Sequence, residues 1–228
     1  MHCKYSIRKP DGSEGVFDLS LNPETFAITP VPGPKPDWTR LDYCQCPGCP
    51  LSPDRTPHCP IAANIAGLYG ALADVLSTDK VELSVEFDDG RKVVKTAPAQ
   101  EGVYSILGVY MAASGCPVMD QLKPMAATHL PFSTIEETVY RVMTMYLAAQ
   151  YFRMEAGFTP DWTLNGLVKM YEGIRTVNSG FSERLRSAAK TDSMLNSLVN
   201  LDVFAMLVLD TSESVNGLRK MFSSYLKN

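Results

Sequence analysis

The spacing of apolar positions divides the chain into two halves of different period. Near the start, apolar and polar residues alternate. Lys4 to Arg8 predicts a short strand, Pro10-Asp11-Gly12-Ser13 predicts a turn, and Val16 to Leu21 predicts the return strand of a hairpin. Thr25 to Thr29 and Trp38 to Cys44 are weaker strand candidates, separated by a stretch of four prolines in residues 30–36. Residues 44–59 have no usable period and carry five prolines or glycines at 47, 48, 50, 53 and 57. A loop of that length needs something besides backbone hydrogen bonds to hold it. From Pro60 the period becomes helical, with Ile61, Ile65, Leu68, Leu72 and Val75 on one face of a helix expected over 60–76. Val81 to Phe87 alternates cleanly, Asp88-Asp89-Gly90 turns, and Arg91 to Thr96 returns, predicting a second hairpin in the same antiparallel sheet.

After Pro98 every periodic segment is helical. Helices are expected over 102–113 and over 117–127, the latter kinked at Pro124. Ser133-Thr134-Ile135-Glu136 has the form of a capping box ahead of a long helix whose apolar face runs through Val139, Val142, Met143, Tyr146, Leu147 and Phe152. Leu164 to Leu185 marks the next, and 195–209 and 215–226 complete the chain. Ser182-Glu183-Arg184-Leu185-Arg186 has the charge pattern of a solvated helix face. The expected class is α+β: an N-terminal antiparallel sheet of two hairpins packed on a mostly helical C-terminal half. The chain is expected to form a single domain over 1–228, its sheet-rich part at 1–97 carrying the cysteine loop and one helix, its helical part at 98–228.

Composition narrows the function classes. With 45% hydrophobic and 20% charged residues, the 228-residue chain is neither disordered nor fibrous. A net charge of −4 argues against a nucleic-acid partner. The N-terminus lacks an apolar signal region, and no apolar run reaches the ~20 residues of a membrane span, so a cytoplasmic protein is expected. A protein partner and the oligomeric state are left open. Six cysteines are too few for a disulfide scaffold, and in a reducing compartment clustered thiols point to metal or catalysis.

Four of the six cysteines, Cys46, Cys49, Cys59 and Cys116, are each followed by proline, whereas Cys3 and Cys44 are not. With 16 prolines in the chain, chance supplies less than one such pair. Cys46-Pro47-Gly48-Cys49 has the two-residue spacing of a metal knuckle, with Gly48 leaving room for backbone N–H groups near the sulfurs. Cys59 and Cys116 precede the expected starts of two helices, where the dipole and free N–H groups favour thiolate. These four are the expected metal ligands. The rival set replaces Cys116 by Cys44, and His58 is read as an outer hydrogen-bond donor or a surface residue. Zn²⁺ is the first expectation, because four-thiolate zinc sites serve purely structural roles. A 4Fe-4S cluster is the alternative, since Cys-Pro recurs in cluster ligand runs.

No phosphate-loop, dinucleotide, nucleophile-elbow or zinc-protease motif is present. His129, with Glu136 or Glu137 nearby, is a weak general-base candidate. Asp120 lies one turn beyond Cys116, and Arg141 and Arg153 are candidates for an anion cleft. Met143, Met145, Met154, Met170 and Met194 are expected in a Met-rich core.

The strings Cys46-Pro-Gly-Cys49-Pro-Leu, His58-Cys59-Pro-Ile-Ala-Ala-Asn64 and Ser114-Gly-Cys116-Pro-Val-Met-Asp120 resemble an uncharacterised bacterial family known as a domain of unknown function. The likeness extends to Leu130-Pro131-Phe132-Ser133 and Gln150-Tyr-Phe-Arg153. It implies a bacterial cytoplasmic protein and imports no activity. Three functions therefore stand side by side: a regulatory or interaction protein with a structural zinc site, an iron–sulfur protein in electron transfer or redox sensing, and an enzyme with a site near Asp120, His129 and Arg141.

Overall fold

In the computed structural model, residues 1–30, 33, 35–71, 76–188, 196, 201–202, 205–206 and 217–227 are described. The alternating segments form β1 (His2–Arg8), β2 (Glu14–Ser20), β3 (Lys80–Phe87) and β4 (Lys92–Pro98), one antiparallel sheet of order β2-β1-β3-β4. Register follows the pleat. Tyr5 lies opposite Phe17 on one side and Val85 on the other, which puts Cys3, Tyr5, Ile7, Leu19, Leu83 and Val85 on one buried face. Gly12 and Gly90 sit at φ +86° and +85° in the two hairpin turns, a conformation glycine adopts without steric cost.

The helices are α1 (Pro60–Ala71), α2 (Ala99–Ala113), α3 (Lys123–Ala127), α4 (Ile135–Glu155) and α5 (Asn165–Ala188). Helix α2 crosses the buried sheet face. A Cβ at Gly102 would lie 2.5 Å from Leu83 Cδ2, so the approach needs glycine. The α+β class with an N-terminal antiparallel sheet and a mostly helical C-terminal half is as the pattern predicts. Among the described residues no helix is long and apolar enough to cross a membrane.

Several local expectations change. Trp38 to Cys44 is not a strand. A 3-10 turn covers Asp37–Thr39, and only an isolated bridge, Arg40 to His58, follows. Thr25 to Thr29 contributes a single bridge, Leu21 to Ile28, and the Ile28 N–H donates to the Ala113 carbonyl of α2 instead of a ladder. The segment 117–127 is not one kinked helix. Pro124 has no N–H to offer the carbonyl four residues back, so the chain makes a 3-10 turn at Met119–Leu122 and then the short α3. The capping box ahead of α4 falls one residue later than expected, with Thr134 as cap and Glu137 as its reciprocal partner, while Ser133 bonds Thr138. On α4 the buried stripe passes through Val139, Val142, Tyr146 and Gln150, and Phe152 lies 64% exposed. Of the methionines, Met170 is buried and Met143 and Met145 pack on the core, but Met154 is exposed. The end expected for the first helix, Met194, most of 195–209 and residues 215 and 216 lie outside the described residues, and of 217–226 only 217–221 are helical, the rest being turn.

The connection from α4 to α5 is organised by Asp161. Its carboxylate accepts from Thr163 Oγ1 at 2.5 Å, Thr163 N at 2.9 Å, Gly166 N at 2.6 Å and Tyr146 Oη at 2.9 Å. The Thr163 hydroxyl and the Gly166 N–H hold this carboxyl well below the usual range. A depressed folded-state value contributes stability above the unfolded value, near 4, and loses it as pH falls. The stability advantage of the wild type over Asp161→Asn, read from thermal melts, is expected to be full at pH 7 and to shrink steadily below about pH 4.

Candidate metal centre

The loop between Cys44 and Cys59 is shaped by its prolines and glycine. The Cys49 N–H donates to the Cys46 carbonyl at 3.1 Å, and Gly48 has φ +68°. Pro at the second position and a positive φ at the third make the tight turn that places both cysteines on one side. A Cβ at Gly48 would meet nothing within 4 Å, so this glycine serves the backbone angle rather than clearing space near sulfur. Cys59 precedes the first residue of α1, its carbonyl accepting from Ala63 N at 2.9 Å and its own N–H donating to Thr39 at 2.8 Å. Cys116 follows Gly115, at φ +87°, and its N–H donates to Ser114 Oγ at 3.1 Å. Asn64, one turn into α1, donates to both the Pro60 and Ser114 carbonyls, at 2.8 and 3.3 Å. One side chain thereby ties the start of α1 to the chain just before Cys116.

These local features bring Cys46, Cys49, Cys59 and Cys116 to the wall of one cavity of about 230 Å³. Cys3 and Cys44 do not join them. Cys3 is fully buried in the sheet face, where burial pushes its thiol up to about 12. Cys44 is exposed, at φ +45°, with Sγ 3.5 Å from Ser187 Oγ. His58 turns away and bonds Thr39 Oγ1 through Nδ1 at 2.9 Å. The thiols surround the cavity rather than meet at a point. Among the described residues, no three His, Cys, Asp or Glu side chains are grouped closely enough to hold one metal ion.

Burial raises the Cys46 thiol to about 11, with Cys59, Cys49 and Cys116 adding to the rise and Arg184 opposing it. Burial also raises Cys116, but backbone N–H groups of Met119 and Val118 point at its sulfur and pull the other way. Cys116, expected at the N-cap of a helix over 117–127, stands before a 3-10 turn instead. Cys46 packs against α5. A Cβ at Gly180 would lie 2.9 Å from Cys46 Sγ and 3.0 Å from Cys46 Cα, so only glycine admits the loop there.

The residue that sequence reasoning misses is Arg184. Its charged neighbourhood suggests a solvated face, yet it is 1% exposed and lines the same cavity. Nη1 donates to the carbonyls of Trp38 and Arg40 at 2.7 and 2.6 Å, and Nη2 to Leu41 at 3.2 Å and Cys44 at 3.5 Å. Those are the carbonyls a strand at 38–44 would have given to a neighbour, which explains why no strand forms there. Arg184 forms no ion pair among the described residues, and its Nε–H is buried without a partner. The helical period held the signal. Position 184 lies two turns beyond Val177, on the stripe that buries Tyr171, Ile174 and Phe181.

The enzyme candidates separate. Asp120 pairs with Lys123 at 2.6 Å and is half exposed, outside both cavities that concern us. Arg153 stacks over the Phe158 ring at 5.2 Å on the surface. His129 and Arg141 share a second cavity, on the α2 side of α5. The three residues of the enzyme alternative are therefore not brought together.

The cysteine cavity and the α+β scaffold belong to a chain whose residues 3–223 match the family model of a domain of unknown function (DUF6901), and the chain is a member of that family. No curated protein and no solved structure matches it.

Removing the Arg184 guanidinium leaves the carbonyls of Trp38, Arg40, Leu41 and Cys44 without their donor. Arg184→Met is expected to lower unfolding free energy by roughly 3 kcal/mol in urea titrations, with Arg184→Lys recovering only part because an ammonium cannot span the fork.

Proposed function

We propose that this protein is an iron–sulfur protein acting in one-electron transfer or redox sensing, its cluster held by Cys46, Cys49, Cys59 and Cys116. The observation that carries the reading is the ring of these four thiols around a cavity of about 230 Å³, with a buried, ion-pair-free arginine on the same wall. A single tetrahedral Zn²⁺, with Zn–S near 2.3 Å, draws its four sulfurs to within about 3.8 Å of one another. Among the described residues the side chains are not grouped that closely. A four-iron cluster keeps its ligand sulfurs further apart and fills the space between them.

The chemistry of the donor set fits. Four thiolates around a cluster carry net negative charge, and Arg184 supplies a fixed positive charge with one N–H, on Nε, still to be satisfied. Val118 and Met119 supply N–H groups toward the Cys116 sulfur, and such hydrogen bonds tune the potential. When bound, the cluster supplies reversible one-electron chemistry. Cysteine at every ligand position leaves no open coordination site for a substrate, which favours electron exchange over Lewis-acid catalysis. Cys46 and Cys49 lie on a half-exposed loop, so that edge of the site is the one near solvent and near any redox partner.

Protein purified without oxygen after iron-replete expression is expected to be brown, with a broad visible absorption band and about four irons per chain. Serine at 46, 49, 59 or 116 is expected to abolish the band, while Cys44→Ser and Cys3→Ser keep it. Colourless protein carrying one equivalent of zinc would overturn the assignment in favour of a structural ion.

A further inference from the structure

The second cavity, of about 140 Å³, lies where α2, α3, the start of α4 and α5 converge. Most of its wall is apolar, including Val109, Met119, Leu122, Met125 and Ile174, and no acidic residue lines it among the described residues. Most polar residues on it are already engaged. Ser105 Oγ lies 2.9 Å from the Tyr5 hydroxyl, which also hydrogen-bonds His129 Nε2. Burial and the nearby Arg141 hold His129 at about 3, so the ring is neutral at physiological pH.

Three others are not used up. Arg141 donates through Nη2 to the Met125 and Thr128 carbonyls, at 2.8 and 2.9 Å, and forms no ion pair among the described residues. Tyr171 is 5% exposed, lies within electrostatic range of Arg141, and has no hydrogen-bond partner among the described residues. Asn178, two turns further along α5 on the same face, is 2% exposed, and its Oδ1 is buried without a partner. A buried amide oxygen without a partner costs stability. The loop entering the site is also strained: Phe132, three residues after His129, has φ +56°.

We propose that this cavity binds a small carboxylate with an apolar body, its charged head on Arg141 and Tyr171 and its remaining hydrogen bonds completed by Asn178. A half-turn of the Asn178 amide presents its N–H₂ to a carboxylate oxygen. The body rests on the Met and Leu side chains, whose flexibility adapts to a linear or aromatic shape. The cavity is smaller than the roughly 300–1,000 Å³ of drug-sized sites, so the occupant is of the size of benzoate or hexanoate. The site is separate from the cysteine cavity and does not rest on the iron–sulfur reading. The two are neighbours, however: Met119 lines this cavity and Cys116 and Val118 line the other.

The test is titration calorimetry of the full chain with benzoate and with hexanoate, against benzyl alcohol, hexanol and hexylamine at equal concentration. Saturable binding of at least one acid is expected, with the alcohols and the amine at least tenfold weaker. Arg141→Lys and Asn178→Leu, each checked for folding by circular dichroism, are expected to weaken acid binding about tenfold. The visible spectrum of the same samples reports on the cysteine site independently. No heat from either acid at 10 mM, amine binding as tight as acid binding, or unchanged acid affinity in folded Asn178→Leu would overturn the proposal.

Discussion

A guanidinium buried among backbone carbonyls organises this molecule. Arg184 reaches from α5 to the chain between Trp38 and Cys44 and pairs with no carboxylate among the described residues. A desolvated cation of this kind is tolerated because its donors are matched to carbonyl oxygens, each carrying partial negative charge. The same contacts relieve 38–44 of any need for a strand partner and leave it free to lead into the cysteine loop. The loop is then pressed onto α5 at Gly180, where the missing side chain lets Cys46 approach. One arginine and one glycine on a single helix therefore decide where two of the four cysteines stand.

The other two are placed by helix and turn beginnings. Cys59 stands before α1 and Cys116 before a 3-10 turn, and Asn64 bridges the two starts. Each cysteine thus stands at the start of a helix or turn, where backbone N–H groups are left over by the local structure. Proline after each cysteine has the same local meaning throughout: it cannot donate, it fixes φ, and it leaves the preceding residue extended. Helix α5 also separates the two cavities, presenting Val177 and Arg184 to one and Ile174 and Asn178 to the other. A change in packing on one side of it has a physical route to the other.

Legibility in the sequence followed how local each cause was. The four strands were readable because alternation requires only that one face be buried, and β1 and β3 bury Cys3, Tyr5 and Ile7, and Val81, Leu83 and Val85, in strict alternation. The Cys46–Cys49 turn was readable because Pro and Gly dictate it. The cap of α4 was readable to within one residue: Ser133-Thr134 offers two hydroxyls and Glu136-Glu137 two carboxylates, and either pairing satisfies the pattern. Arg184, by contrast, was misread because the charges beside it, Glu183 and Arg186, are exposed and conceal the period that buries it. Asp120 stands in the 3-10 turn Met119–Leu122 and pairs with Lys123, a contact that spacing along a helix does not distinguish from a place beside the cysteines.

By itself the sequence determined the α+β class, the two hairpins of one antiparallel sheet, the long helices, and a division of the six cysteines into four and two. Those features depend on periodicity, turn chemistry and nearest neighbours, all of which are written along the chain. Only the tertiary structure decided that the four thiols share one cavity, that a buried arginine joins them, that His129 and Arg141 part company with Asp120, and that Asn178 faces a cavity with its amide oxygen unpaired. Each of these depends on how far α5 lies from segments more than a hundred residues earlier in the chain, as in the contact of Arg184 with Trp38, and no local pattern encodes such a distance.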